Sequence, residues 1–163
     1  MARLPKAKPI SLSQQYIAIR RQYENIVDSK FEKNQIIFKF KIKPTEESEE
    51  YLVRVSYKLH ESPIVVLLEP EMKLHNGKRP HHIYGLENGH PILCLYYPKS
   101  KEWNKNLYIA DTIIPWISTW LFAYEYWQIT GKWNYNESNA LKGIKKKVKN
   151  SMDTEQGDNL SIP

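Results

Sequence analysis

The sequence predicts a single α+β domain. Three observations carry that prediction: apolar residues at helical spacing near the N-terminus, three strand-like segments after them, and an aromatic-rich helical segment beyond a long aperiodic stretch. At 163 residues the chain has the length of one ordinary domain and can bury a core without cross-links.

The first element is read from ISLSQQYIAIRRQYENIVDSKFEK. Ser11 or Ser13 serves as N-cap, and Leu12, Tyr16, Ile19, Tyr23 and Ile26 follow at helical spacing, which predicts one amphipathic helix. NQIIFKFKIKPT then alternates, with Ile36, Phe38, Phe40 and Ile42 on one face and Ile37, Lys39 and Lys41 on the other. That is the period of a half-buried strand. After the Glu-rich turn PTEESEE, YLVRVSYKLH alternates again through Tyr51, Val53, Val55, Tyr57 and Leu59, and SPIVVLLEP is a short apolar run between Pro63 and Pro70. Short connections make an antiparallel meander of these strands.

From Met72 to Leu107 no periodicity survives, and the segment reads as a long loop. Such loops are uncommon in compact domains unless they carry function or hide an element. Regularity returns in ADTIIPWISTWLFAYEYWQITG. Asp111 or Thr112 can cap a helix here, Pro115 fits its first turn, and Gly131 stops it. Ile113, Trp116, Ile117, Trp120, Leu121, Tyr124 and Gln128 share one face, so this helix is expected to cover the sheet, with Trp116 and Trp120 in the core.

The net charge is +6 and the pI about 9.2. Much of the excess lies at the ends, in a basic arm over residues 1–10 (Arg3, Lys6, Lys8) and in Lys142, Lys145, Lys146, Lys147 and Lys149. Between them no nucleic-acid-binding motif occurs, and terminal charge runs are ordinarily solvated, so no specific nucleic acid is expected as a partner. Residues 136–163 turn from basic to acidic without apolar period and read as a disordered tail, which leaves 11–135 as the domain. No segment is apolar enough to span a membrane. The single cysteine excludes an intramolecular disulfide and suits a reducing compartment, so the expected location is cytoplasmic. His81, His82 and His90 lack zinc-ligand spacing, and no Gly-rich loop cradles a nucleotide. Neither metal nor other cofactor is expected.

The lone thiol, Cys94 in HPILCLYYPKSKEW, would by itself read as a small buried hydrophobe. Its surroundings change that reading. In PHHIYGLENGHPILCLYYPKSKEW, Ile83-Tyr84, Asn88-Gly89, Leu93-Cys94-Leu95 and Trp103 follow one another, and IADTIIPWISTWLFAYEYWQITGKW comes next. This order resembles the ubiquitin-conjugating enzymes, in which a His-Pro-Asn-Ile-Tyr-like stretch and an Asn-Gly turn precede Ile-Cys-Leu and a Trp. LCLYYP and the TIIPW helix are most similar to bacterial members of the superfamily found in cyclic-oligonucleotide-based anti-phage signalling (CBASS) operons. The likeness is strong over about residues 80 to 135 and architectural over 10 to 70. His82 stands where the eukaryotic family has its Asn, Pro80 and His81 stand in inverted order before it, and the interval to the cysteine is longer.

The resemblance implies a ubiquitin-conjugating fold, with Cys94 as the nucleophile that takes an acyl group as a thioester and passes it to an amine or thiol. His82 is the candidate oxyanion donor or, alternatively, a general base. His90, Lys99 and Lys101 are sequence neighbours able to favour a thiolate. Tyr84, Asn88, Trp103 and Asp111 are expected to support the active-site loop, with packing the leading role for Tyr84 and Trp103 and helix capping for Asp111. The implied acyl donor is the C-terminus of a partner protein, in these operons a cyclic-oligonucleotide-synthesising nucleotidyltransferase. Any ATP-dependent activation would come from a separate activating enzyme. The alternative is a non-catalytic binding module of the same fold, which recognises the nucleotidyltransferase or a ubiquitin-like partner with an idle thiol.

Overall fold

A computed structural model describes residues 6–133. Arg3 of the basic arm, the expected disorder of the tail and the cluster from Lys142 to Lys149 lie outside the described residues. Helix α1 spans Leu12–Gln22 and helix α2 spans Ile113–Thr130. Between them run strands β1 (Ile26–Glu32), β2 (Gln35–Ile42), β3 (Tyr51–Lys58), β4 (Ile64–Glu69), β5 (Ile83–Glu87) and β6 (His90–Leu93). The fold is α+β, with one antiparallel sheet of six strands in the order β1-β2-β3-β4-β6-β5. Strands β2, β3 and β4 form the expected three-stranded meander, β1 adds a fourth strand at its edge, and the chain then runs out to the other edge as β5 and returns as β6 against β4.

Helix α1 starts where the sequence places it. Ser11 Oγ accepts from Gln14 N–H at 3.2 Å and Gln14 Oε1 accepts from Ser11 N–H at 2.9 Å, a reciprocal cap. The helix is shorter than expected, because Tyr23 turns extended and Ile26–Glu32 is a strand. Helical spacing misleads here for a physical reason. Ile26 reaches the core from the strand just as it would from another turn of helix, while six residues gain pairing with β2.

Strands β2 and β3 bury the faces expected of them, Ile36, Phe38, Phe40 and Ile42 with Tyr51, Val53, Val55 and Tyr57. Leu59 falls in the turn beyond β3 and is only half-buried. In β4, Val65, Val66 and Leu67 are buried in succession, so this strand is covered on both faces.

The segment 72–107 is not one long loop, since it contains the β5–β6 hairpin and the short 3₁₀ turn Pro98–Ser100. Burial alternates along β5, but its period is hidden because the exposed positions carry the apolar Tyr84 and Leu86 while Gly85 and Glu87 hold the more sheltered ones.

Helix α2 lies on the same core as α1. Ile19 meets Phe38, Phe40, Val53 and Val55 of the sheet and Ile117, Trp120, Leu121, Tyr124 and Trp127 of α2 in one apolar cluster. Trp116, expected in the core, is half-buried at its margin. Neither expected cap forms. The Thr112 side chain makes no cap bond, its hydroxyl donating instead to the Tyr108 carbonyl at 2.7 Å, and the Asp111 carboxylate accepts from Gln22 Nε2 at 2.9 Å. Gly131 ends the helix as expected, its N–H donating to the Trp127 carbonyl. No helix among the described residues is long and apolar enough to cross a membrane.

Candidate functional site

The β5–β6 hairpin positions the only thiol. Asn88 and Gly89 form its two-residue turn at φ 50° and 84°, the left-handed conformation that a tight hairpin turn demands, with Glu87 paired to His90. Toward the other end the register slips: Ile83 faces Leu93 and Gly85 faces Ile92, so Tyr84 is the extra residue of a β-bulge. Gly85 sits at φ 148°, a conformation that L side chains rarely adopt. The bulge sets the direction of the Tyr84 side chain, and a residue with a Cβ at Gly85 would strain it.

Cys94 follows β6 directly. Its N–H donates to the His82 carbonyl at 3.1 Å, continuing the hairpin past its last paired residues. The indole N–H of Trp120 donates to the same carbonyl at 2.9 Å. Helix α2 therefore holds the backbone against which the cysteine is registered.

Cys94 is half-buried. Its S–H donates to the Tyr96 carbonyl at 3.4 Å, and the Tyr84 hydroxyl donates to that same oxygen at 3.2 Å. The shared oxygen sets the Tyr84 hydroxyl and the thiol side by side. Desolvation first, and then the thiol beside it, push the Tyr84 phenol well above its ordinary range, so it stays a neutral O–H donor wherever the protein is folded.

Next to this segment opens a cleft of about 180 Å³, walled by Tyr84, the flanking residues Leu93 and Leu95, Tyr96, Ile113 and the start of β4 at Ile64. It lies where the sheet divides, since β4 pairs with β6 only at Val66 and Ile92. The Tyr96 ring is steadied by Trp116, with centroids 5.8 Å apart.

The other residues singled out from sequence are dispersed. His82 approaches Cys94 through its carbonyl, while its imidazole packs on Trp133 with centroids 5.1 Å apart, and Trp133 packs on Trp120 at 5.2 Å. Asn88 belongs to the hairpin turn, separated from Cys94 by the length of β6, and His90 is at that same far end. Trp103 is buried with its ring edge-on to Tyr57 at 5.6 Å, a core residue under the loop. Asp111 ties the turn before α2 to the last residue of α1. Lys99 and Lys101 are exposed. Among the described residues no group of three or more His, Cys, Asp or Glu could hold a metal ion.

Burial, and then the neighbouring His81, lower the His82 pKa from 6.5. The unfolded chain therefore binds a proton that the folded chain resists. The associated stability is fully present above 6.5 and is lost as pH falls below it. Thermal melts between about pH 7.5 and 5 are expected to fall more steeply for the wild type than for His82→Asn, which has no imidazole to protonate. Parallel curves would refute this.

Sequence reasoning missed the acceptor at the centre of the site, because the Tyr96 carbonyl is a backbone atom. It also missed the contribution of β4 to the cleft. The Gly that follows Tyr84 in a strand-forming stretch was the available signal for a bulge.

A comparison with curated proteins finds no match. A family model described as Type II CBASS E2 protein matches residues 15–140, which include the hairpin, the thiol and the covering helix. The chain belongs to the type II CBASS E2 proteins.

Proposed function

We propose that this protein is a conjugating transferase of CBASS anti-phage signalling with a ubiquitin-conjugating fold, and that Cys94 carries the C-terminus of a partner protein as a thioester. The observation that carries this reading is the placement of the only thiol, on a half-buried residue whose neighbours Leu93 and Leu95 line an apolar cleft, with its N–H bonded to a carbonyl that Trp120 also holds. A filler cysteine would be buried in the core, and Cys94 is not.

Loading is thiol exchange. The Cys94 thiolate attacks the carbonyl carbon of an incoming thioester, the new S–C bond forms, and the donor's thiolate leaves, so no net proton is consumed. The incoming thioester is made elsewhere, by an activating enzyme that spends ATP. An amine or thiol then attacks the Cys94 thioester in turn. The cleft offers the extended C-terminal tail of the donor an apolar bed along Leu93 and Leu95, the neighbours of Cys94. On this reading the donor is the nucleotidyltransferase of the operon, joined to a further molecule to prime it. His82 is the side chain proposed to meet the oxyanion or accept the amine's proton, and its lowered pKa keeps it neutral for either task.

The test is a gel with and without reductant after mixing the protein with its nucleotidyltransferase and activating enzyme. A reductant-sensitive adduct is expected in the wild type and none in Cys94→Ala. A stable complex that forms equally with the mutant, and no adduct with either, would sink catalysis and leave the binding-module reading.

A further inference from the structure

The exposed tyrosine beside the thiol is placed by a device that packing does not require. Tyr84 keeps 55 % of its surface in solvent, so its ring contributes little to the core. It is nevertheless the inserted residue of a bulge sustained by a glycine at φ 148°. Bulges recur next to active sites because they re-aim one side chain.

In the resting site two donors share one acceptor, since Cys94 S–H and Tyr84 O–H both point at the Tyr96 carbonyl. That arrangement holds for the thiol alone. When the sulfur has lost its proton to solvent it becomes an acceptor facing a carbonyl oxygen, and the two repel. A donor at hand is the Tyr84 hydroxyl, which is bonded to that same carbonyl and can turn from it toward the sulfur.

We infer that Tyr84 is a catalytic hydrogen-bond donor to the Cys94 thiolate, aimed by the β5 bulge, and that it stabilises the nucleophile between its formation and its attack on the acyl carbonyl. The inference rests on the reading of Cys94 as the nucleophile. No proton leaves Tyr84 at any step: the thiol proton goes to solvent, the phenol keeps its own, and the hydrogen bond is released as the sulfur becomes a thioester. The titratable groups around the Tyr84 hydroxyl are Cys94 and Tyr96, and Tyr84 itself is neutral at physiological pH. The upward displacement of the phenol suits the role, because an ionised tyrosine could not donate.

Because the chain has one cysteine, alkylation by iodoacetamide reads this sulfur alone. The rate is measured against pH on the full chain for wild type, Tyr84→Phe and Gly85→Ala. Tyr84→Phe keeps the ring and removes the donor. Its profile is expected to move about one pH unit to the alkaline side, making alkylation about tenfold slower at neutral pH, with an unchanged melting temperature. Gly85→Ala keeps the hydroxyl and disturbs its aim, so its profile is expected to shift in the same direction. A Tyr84→Phe profile that superimposes on the wild type overturns the inference. Alkylation reports the hydrogen bond and the gel reports acyl transfer, so the two readings fail separately. A shifted profile without any adduct supports the hydrogen bond and overturns the conjugating function. An adduct with superimposed profiles does the reverse.

Discussion

Trp120→Ala is expected to remove about 4 kcal/mol of folding stability, a large share of what a domain of this size possesses. The ring is fully buried and central to the contact between α2 and the sheet. It stacks on Tyr124 at 5.2 Å and meets Trp133 at the same separation. Truncation would leave a cavity that flat, interlocked aromatic neighbours cannot collapse to fill. The more informative variant is Trp120→Phe. It retains most of the apolar volume but removes the N–H that holds the His82 carbonyl, at a cost of about 1.5 kcal/mol beyond the small loss of packing. That carbonyl would then lose the indole donor and keep the Cys94 N–H. Urea denaturation is expected to rank wild type above Trp120→Phe above Trp120→Ala, and iodoacetamide should report an altered Cys94 in the Phe variant even where it is fully folded. A Phe variant as stable as wild type, with unaltered thiol reactivity, would show that α2 does not register the cysteine.

The legible parts of the fold and the hidden ones differ by a physical rule. Strands β2 and β3 were legible because one face of each is buried and the other is not, which writes period two into the residues themselves. Ser11 and Gly131 were legible because caps have few chemical solutions. Strand β1 was hidden because it is an edge strand with a bulge and little burial, so nothing in Val27 or Asp28 distinguishes it from continued helix. The β5–β6 hairpin announced its turn, Asn88-Gly89, while the apolar residues at the exposed positions of β5 hid its alternation.

At the site the same contrast holds. Cys94 stood out by its resemblance to a family pattern, which the match to the type II CBASS E2 model bears out at the level of family. Its partners did not stand out, because two of them are carbonyl oxygens, those of His82 and Tyr96, and main-chain atoms leave no mark on residue identity. Tyr84 was visible as an aromatic near the loop, but the direction of its hydroxyl depends on one inserted residue in a strand register. Asp111 and Thr112 looked like caps by composition alone. Asp111 turned to α1 and Thr112 to the preceding turn.

Gln15 was also invisible, since a glutamine on an amphipathic helix reads as solvent-facing, yet its side chain is fully buried. Its Nε2 donates to the Leu107 carbonyl at 2.9 Å, and its Oε1 accepts from the Ile109 N–H at 2.9 Å. One amide thus serves both a donor and an acceptor of the loop entering α2, as a neighbouring strand would. Gln15→Leu has nearly the same volume and satisfies neither group, so two buried backbone atoms lose their partners at about 1 to 3 kcal/mol each. The expected loss is about 4 kcal/mol, more than a surface substitution on α1 would cost by an order of magnitude. Gln15→Glu should fare no better, because its ionised carboxylate can still accept from Ile109 but faces the Leu107 carbonyl with no proton to offer. Urea denaturation measures the stability, and amide exchange at Ile109 measures the bond directly, with protection expected to fall in Gln15→Leu. Stability within about 0.5 kcal/mol of wild type would mean that water replaces the amide. The consequence reaches the site through the chain itself. Residues 107–109 lead into Ile113, which opens α2 and walls the cleft lined by Leu93 and Leu95, the neighbours of Cys94. A loop released from Gln15 should therefore slow adduct formation in the fraction of molecules that remains folded.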